Sequence, residues 1–470
     1  MLLRIFRVND PYRLLGIFVA LIVISLWFFV DPASQTLYEL KSIVLGEALN
    51  DHKALYSELF TSMPPLAAWL SGWVEWIFGR SLTARHVLSL LIIFFQGSYF
   101  AILLINNKAQ NENTYLPALI FGVLCLYSFD MLTLSGELMA ATFLIFALNN
   151  LFKEVEFRVQ HDTTLLKLGV YLGIASLFVF SYAVFLPGTL IILNIFTRTT
   201  IRKSLLLVFG FVLPHLLLLA YYFAIGDMPF VWNNFYVGSV WLSSNIITLW
   251  SMVCLSAIPI LYFLISLVMV NREARLTKYQ SQLLQIMFLW LLVAMVEVIV
   301  SGSMTPQKVI TFAPPLAYFI SHYLLLIRRK RIGEFMLWVF IVGIVTTSYL
   351  ARYNKLSSID YSKIFYEKSA YENNVKQKRV LVLGTDWGLF ESNKLATYFY
   401  DWELSKKIFS EPNYFENVVL IADSFAADMP EVIVDKDNLM AGVFNKNPAL
   451  KKRYARQGDL YVLLKPEIHL

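Results

Sequence analysis

About eleven apolar segments, each close to the length that crosses a lipid bilayer, constrain this chain more than any other feature. A spanning helix needs roughly 20 apolar residues. Of the 470 residues, 58% are hydrophobic and only 15% are charged, a balance that soluble domains do not carry. The sequence therefore predicts an α-helical polytopic membrane protein with spans near residues 14–30, 86–106, 115–130, 135–152, 165–181, 183–197, 204–226, 247–270, 283–301, 308–327 and 333–350.

Basic residues are distributed unevenly between the loops that join these spans. The loops at 131–134, 227–246 and 302–307 contain no Lys or Arg, whereas the intervening loops do. Because basic loops remain in the cytoplasm, we expect a cytoplasmic N-terminus and an exported C-terminal region. The net charge of +6 then reflects membrane orientation, and no nucleic-acid partner is expected. No cleavage site follows the first apolar run, so no cleavable signal peptide is expected.

The composition changes at about residue 352, where charged residues become frequent. Short apolar runs at 379–384, 418–423 and 460–464 predict strands, and the stretch from 393 to 409 resembles a helix. Such alternation predicts a small extracytoplasmic α/β domain at 352–470, after a transmembrane domain at 1–351. The α/β domain contains no P-loop and no GxGxxG sequence, so no nucleotide is implied.

Neither cysteine indicates a disulfide or a metal site. Cys125 and Cys254 both lie inside apolar runs, where a thiol is most often a small core residue.

The outer loop at 31–85 contains two predicted helices. Residues 37–49 have apolar side chains at helical spacing, with Glu39, Ser42 and Gly46 expected on the polar face. A second helix is expected to begin at Pro64-Pro65, with Thr61 or Ser62 available as its cap. Both helices are too short to span, and the tryptophans of the second favour the headgroup level. The sequence thus predicts interfacial helices that frame a pocket at the outer membrane surface.

Several segments of the chain, taken in order, resemble the GT-C glycosyltransferases, in particular the protein O-mannosyltransferases and bacterial aminoarabinose transferases. "MPPLAAWL" and "IFGRSLTARHVLSLL" are similar to the family's "PPL-x-x-W-L" and "F-G-x-S-x-x-A-R" elements. "GELMAATFLIFALNNLF" resembles its fourth span, and "TPQKVITFAPPLAYFIS" resembles its late "R-Y-x-x-P-x-x-P-x-L" span. The resemblance covers the whole membrane region, and it rests on the order and spacing of these elements.

The resemblance implies an inverting transferase in a bacterial cytoplasmic membrane. The donor would be a polyprenyl-phosphate sugar, and the acceptor a glycan, lipid or protein. Such a reaction needs a carboxylate to take the acceptor's proton and a cation to receive the charge on the departing phosphate. Glu39 is the candidate base, and Arg85 and Lys308 are the candidate phosphate contacts. Glu137 either orients the acceptor or holds a divalent cation through water; no other cofactor is implied.

One position departs from the family pattern. Tyr38-Glu39 stands where the family has Asp-Glu, although Asp31 lies nearby at the end of the first span. Three interpretations follow: Glu39 has become the base, Asp31 serves instead, or catalysis has been lost. Glu297, inside the ninth span, either lines the cavity and contacts substrate or pairs with a neighbouring helix.

Each candidate also has a purely structural interpretation. Glu39 is then the solvated side of a surface helix, and Arg85 extends to lipid headgroups. The corresponding function is a non-catalytic membrane scaffold that binds a partner through its exported domain. A secondary transporter fits less well, because the sequence shows no internal repeat.

Overall fold

The computed structural model describes residues 2–8, 10–31, 34–156, 161–197, 199–241, 246–302 and 304–464. It is mostly helical and has one small sheet near the C-terminus. The predicted class, a helical membrane protein with a small C-terminal α/β domain, is confirmed.

Helices occupy most of the chain. In chain order the α-helices are α1 (Leu2–Phe6), α2 (Tyr12–Val30), α3 (Leu37–Asn50), α4 (Pro65–Phe78), α5 (Leu82–Asn106), α6 (Leu116–Leu124), α7 (Gly136–Val155), α8 (Asp162–Phe178), α9 (Phe185–Phe196), α10 (Ile201–Ile225), α11 (Met228–Val231), α12 (Gly238–Trp241), α13 (Leu249–Leu255), α14 (Ala257–Glu273), α15 (Lys278–Val300), α16 (Ala313–Leu326), α17 (Lys330–Arg352), α18 (Trp402–Ser410), α19 (Phe415–Ala427), α20 (Met440–Lys446) and α21 (Pro448–Lys451). The strands are β1 (Arg379–Leu383), β2 (Lys394–Leu395), β3 (Val432–Asp435), β4 (Tyr454–Gln457) and β5 (Leu460–Leu463).

Seven helical segments of the described chain are long and apolar enough to cross a membrane. They are α2, α5, α7, α10, α15, α17 and the segment Pro306–Leu326, which joins a 3-10 turn to α16. An eighth candidate is the pair α13 and α14, bent by 64°. The span predicted at 115–130 is a nine-residue helix, α6, which is shorter than a crossing helix requires. Each predicted span therefore has a helix, but not every helix has spanning length.

The chain forms two compact units. The first, called the membrane unit, comprises Met1–Ser34, Ser81–Ala220 and Ser243–Lys363; the second, called the outer unit after the location predicted from the sequence, comprises Gln35–Arg80, Tyr221–Leu242 and Ile364–Leu470. The division predicted at 351/352 placed the first outer loop in the transmembrane domain, whereas residues 35–80 group with the C-terminal region.

Glycines set the packing of α8 against α10 in the membrane unit. Gly169 and Gly173 are four residues apart on α8, the spacing that lets membrane helices approach closely. A Cβ atom on Gly169 would lie 2.2 Å from the carbonyl oxygen of Leu207, and one on Gly173 would lie 2.4 Å from that of Phe211. The two helix backbones are thus in direct contact.

Gly169→Ala is expected to destabilise the membrane unit by about 1–3 kcal/mol, because the added methyl group forces these backbones apart. A loss of stability is diagnostic of this contact, because alanine is normally more favourable than glycine inside a helix. The measurement is the thermal unfolding midpoint in detergent. Gly16→Ala is the matched control, because its added Cβ meets only a phenylalanine ring at 3.4 Å. Equal midpoints for both variants would contradict the packing described.

The C-terminal sheet has five strands in the order β2-β1-β3-β5-β4. Strand β1 pairs in parallel with β2 and β3, and β5 pairs antiparallel with β3 and β4. The strands predicted at 379–384 and 460–464 are confirmed. The strand predicted at 418–423 is wrong: it lies in α19, because Val418, Ile421 and Phe425 recur at helical spacing. The central strand there is β3, with all four side chains buried.

The two helices predicted in the first outer loop are confirmed as α3 and α4. They pack on each other closely, since a Cβ on Gly46 would lie 2.6 Å from the carbonyl oxygen of Ser71. The hydroxyls of Ser42 and Ser71 also bond at 2.9 Å. The prediction that Glu39, Ser42 and Gly46 form an exposed polar face of α3 is therefore wrong. All three are buried, because α4 and other elements of the outer unit cover that side of the helix. Helix α4 begins after Pro64, without a side-chain cap from Thr61 or Ser62.

Candidate functional site

Three charged side chains predicted from the sequence come together in the membrane unit. Glu137 lies in the first turn of α7, and Glu297 lies near the end of α15. Lys308 lies in the 3-10 turn Pro306–Phe312 that leads into α16. The charges of both glutamates act on the Lys308 ammonium. Lys308 is thus a buried cation that lies within the electrostatic influence of two carboxylates.

Glu297 is held by the neighbouring helical segment. Its side chain is fully buried, and its Oε1 accepts a hydrogen bond of 2.5 Å from the Ser181 hydroxyl. Its Oε2 is buried and has no hydrogen-bond partner among the residues described. This hydrogen bond joins α15 to the 3-10 turn Phe180–Val184.

Arg85 lies in the first turn of α5 and is buried, with only 3% of its surface exposed. The side chain is thus enclosed almost entirely by protein. Its backbone carbonyl accepts a hydrogen bond from Ser89 one turn later. The guanidinium is a buried charge of the membrane unit.

Asp130 is a buried carboxylate that the sequence analysis did not single out. It lies in the 3-10 turn Phe129–Leu132 and accepts a hydrogen bond from Ser128. Ser128 also bonds the hydroxyl of Tyr361 at 2.9 Å. Burial raises the pKa of Tyr361, and the charge of Asp130 adds to that shift. The sequence did offer a signal for Asp130, an acidic residue at the end of the apolar run 115–130. A buried charge in a membrane protein usually has a functional role.

Asp31 lies at the end of α2, and its side chain is exposed. Its carboxylate accepts a hydrogen bond from the Tyr353 hydroxyl and lies 3.7 Å from the Arg352 guanidinium. Asp31 is therefore held at the end of α17, in contact with solvent.

Glu39 caps the helix that carries it. Its Oε2 accepts hydrogen bonds from the Thr36 amide at 2.9 Å and the Thr36 hydroxyl at 3.0 Å. Its own amide donates to the Thr36 hydroxyl at 3.2 Å, which completes a capping box. The side chain is only 6% exposed, so it is not the solvated face of a surface helix. Tyr38, the preceding residue, is half-buried.

Groups of three or more His, Cys, Asp or Glu side chains that could hold a metal ion were not found among the described residues.

The whole fold is similar to that of ArnT from Cupriavidus metallidurans. ArnT bound to undecaprenyl phosphate aligns with a TM-score of 0.56 and 12% identity over 97% of this chain and 98% of that one. Its apo form aligns with a TM-score of 0.50 and 11% identity over 96% and 97%. The apo Archaeoglobus fulgidus oligosaccharyltransferase gives 0.48 and 10% over 98% and 75%. No protein-family model and no curated protein matches the chain. The predicted GT-C fold is confirmed.

Proposed function

Because the chain has the GT-C fold, we propose that it is an inverting glycosyltransferase. It moves a sugar from a polyprenyl-phosphate donor to a hydroxyl of a glycan, lipid or protein acceptor on the outer face of a bacterial cytoplasmic membrane. The observation that carries the proposal is the full-length likeness to ArnT bound to undecaprenyl phosphate. A polytopic membrane unit suits such a donor, because its lipid tail remains in the bilayer throughout the reaction.

The reaction exchanges one bond to the anomeric carbon of the sugar for another. The acceptor oxygen attacks that carbon, and the bond to the phosphate oxygen breaks, so the polyprenyl phosphate leaves with the electron pair. The acceptor's proton passes to a carboxylate. Glu39 is the proposed base, because it is a buried carboxylate fixed in place by its own helix cap. Asp31 is the alternative base, and Tyr38 is a neighbouring substrate contact.

The phosphate requires a cation as its negative charge increases in the transition state. Lys308 and Arg85 are the proposed phosphate contacts, since both are buried cations of the membrane unit. Glu137 and Glu297 hold the Lys308 ammonium in place and orient the acceptor. Glu137, the less buried of the two carboxylates, is also the residue able to hold a divalent cation through water.

The second candidate function is a catalytically inactive scaffold. Two observations favour it: Tyr38 stands at the position of the family's first acid, and one oxygen of Glu39 is already occupied by Thr36. In that case the exported domain binds a partner and no sugar is transferred.

The two functions differ in the fate of the lipid-linked donor. Cells that lack the protein are expected to accumulate a polyprenyl-phosphate sugar, detected by mass spectrometry of lipid extracts, and to lose the matching sugar from an envelope glycan. Expression of the wild-type chain should reverse both changes. An unaltered lipid and glycan profile in the deletion strain would overturn the transferase proposal in favour of the scaffold.

A further inference from the structure

We infer that the C-terminal α/β region is an intramolecular clamp that fixes α3, the helix carrying Glu39, and that Lys53 is the central positioning residue of this clamp. The functional part of this inference rests on the proposed function, in which Glu39 is the base. The clamp consists of Lys53, Arg80 and Arg379 with their partners, and all of these residues belong to the outer unit.

Lys53 follows α3 and is almost entirely buried, with 8% of its side chain exposed. Its ammonium lies 2.6 Å from the Asp428 carboxylate, and it donates to the carbonyl oxygens of Leu395 and Thr397 at 3.1 and 3.0 Å. Three oxygen atoms therefore surround a group with three N–H donors. A buried charge held by one ion pair and two hydrogen bonds fixes the chain on both sides, because removing Lys53 leaves buried oxygen atoms unpaired.

Two arginines extend the clamp to either side of Lys53. Arg379, the first residue of β1, bonds Asp428 at 2.5 Å and Asp51 at 2.9 Å. Asp51 is the C-cap of α3, so β1 is attached directly to the end of that helix.

Arg80 links both helices of the first outer loop to the C-terminal region. It forms a bidentate pair with Glu47 of α3, at 2.6 and 2.7 Å. The same guanidinium donates to the carbonyl oxygens of Phe390, Glu391 and Asn393. These carbonyls lie in the connection between β1 and β2, which contains the 3-10 turn Trp387–Glu391.

The first outer loop also completes the hydrophobic core of the α/β region. Phe60 belongs to the same buried cluster as Leu381 of β1 and Phe399, and its ring lies 5.7 Å from that of Phe399. Its backbone accepts from Asp401 at 3.0 Å and donates to Tyr398 at 2.9 Å. Strand β2 has only two residues, and α3 packs against it. Residues 35–80 are thus a structural part of this domain.

Contacts at the other end of α3 bring the clamp to Glu39. Thr36, the N-cap that binds the Glu39 carboxylate, forms a β-bridge with Phe365. The Tyr400 hydroxyl donates to the carbonyl of Lys41 at 2.9 Å, and the Lys41 ammonium lies 4.8 Å from the centre of the Trp387 ring. Helix α3 is therefore fixed at both ends by residues from the C-terminal region.

Lys53→Met tests the clamp in the full-length chain in detergent, with two readouts. We expect hydrogen exchange of the amides at 37–50 to increase about tenfold, because the buried hydrogen bonds that hold the helix are lost. We also expect kcat for transfer to fall with an unchanged KM for the donor, since Lys53 contacts no substrate. Lys394→Met is the matched control, because its ammonium is half exposed and lies 3.9 Å from Asp51. It should change neither readout.

Unchanged exchange at 37–50 in Lys53→Met would overturn the clamp, and so would faster exchange with full kcat. Absence of transfer by the wild-type chain would overturn the proposed function alone, and the exchange data would then decide on the clamp. Should Lys53→Met not fold, Tyr400→Phe removes a single hydrogen bond to α3 and is judged by the same two readouts.

Discussion

Glu39→Gln is expected to lower the rate of sugar transfer by about 10²–10⁴-fold, the usual contribution of a general base. The amide cannot accept the acceptor's proton, but its oxygen can still bond the Thr36 amide. Glutamine is the other residue that supports a capping box, so α3 should remain intact. The measurement is transfer by purified protein in detergent, using lipid-linked donor isolated from the deletion strain, with circular dichroism to check the fold.

Asp31→Asn is the matched variant, because it neutralises the alternative base in the same way. If Glu39 is the base, Asp31→Asn should retain transfer within a few-fold. The reverse result, with full transfer in Glu39→Gln and loss in Asp31→Asn, would reassign the base to Asp31. Full transfer in both variants would contradict both assignments.

Lys308→Met is expected to lower transfer by about 10²–10³-fold, because a charge-stabilising donor to the departing phosphate is lost. It should also lower the stability of the membrane unit, since the buried Glu297 loses the cation whose charge acts on it. Both effects are measurable on the purified chain, as kcat/KM for the donor and as the thermal unfolding midpoint.

The double variant Lys308→Met/Glu297→Gln separates these two effects. It removes both charges, so the unfolding midpoint should recover towards that of the wild type while transfer stays low. Lys308→Arg, which keeps the cation, should retain most of the stability. Recovery of transfer together with stability in the double variant would show that Lys308 has only a structural role.

The helical membrane fold was predictable because its signal is local and strong. The first span was placed at 14–30 and α2 is Tyr12–Val30; the surface helix was placed at 37–49 and α3 is Leu37–Asn50. The α/β region was harder, because a short apolar run fits a strand or a helix equally well. At 418–422 the side chains are apolar, and only the position of Phe425, one turn after Ile421, reveals the helical period.

The candidate site was predictable where burying a charge is costly. That cost drew attention to Glu137 and Glu297, and the family resemblance added Lys308, on which the charges of both glutamates act. The cap formed by Glu39 was also readable, since Thr36 to Glu39 carries the T-x-x-E pattern. Lys53 was not predictable, because its partner Leu395 lies 342 positions away and no local pattern connects them.

The three stretches of chain that make up the outer unit also restrict how many times the chain passes through the membrane. Ser57 bonds Asp227 at 2.7 Å, and Phe60 bonds Tyr398. Three separate stretches of sequence are thus folded together, and all three must lie on the same side of the bilayer. The chain must therefore cross an even number of times between Arg80 and Asp227, and again between Leu242 and Ile364.

This parity restricts the possible roles of the helices that length alone leaves open. Within the described part of the first interval, three helices have spanning length, α5, α7 and α10; when each of them crosses, an even total requires that one or all three of α6, α8 and α9 also cross. Among the described residues, the second interval contains α15, the segment Pro306–Leu326 and α17, so the number of crossings is even when each of these crosses and the bent pair α13 and α14 crosses once.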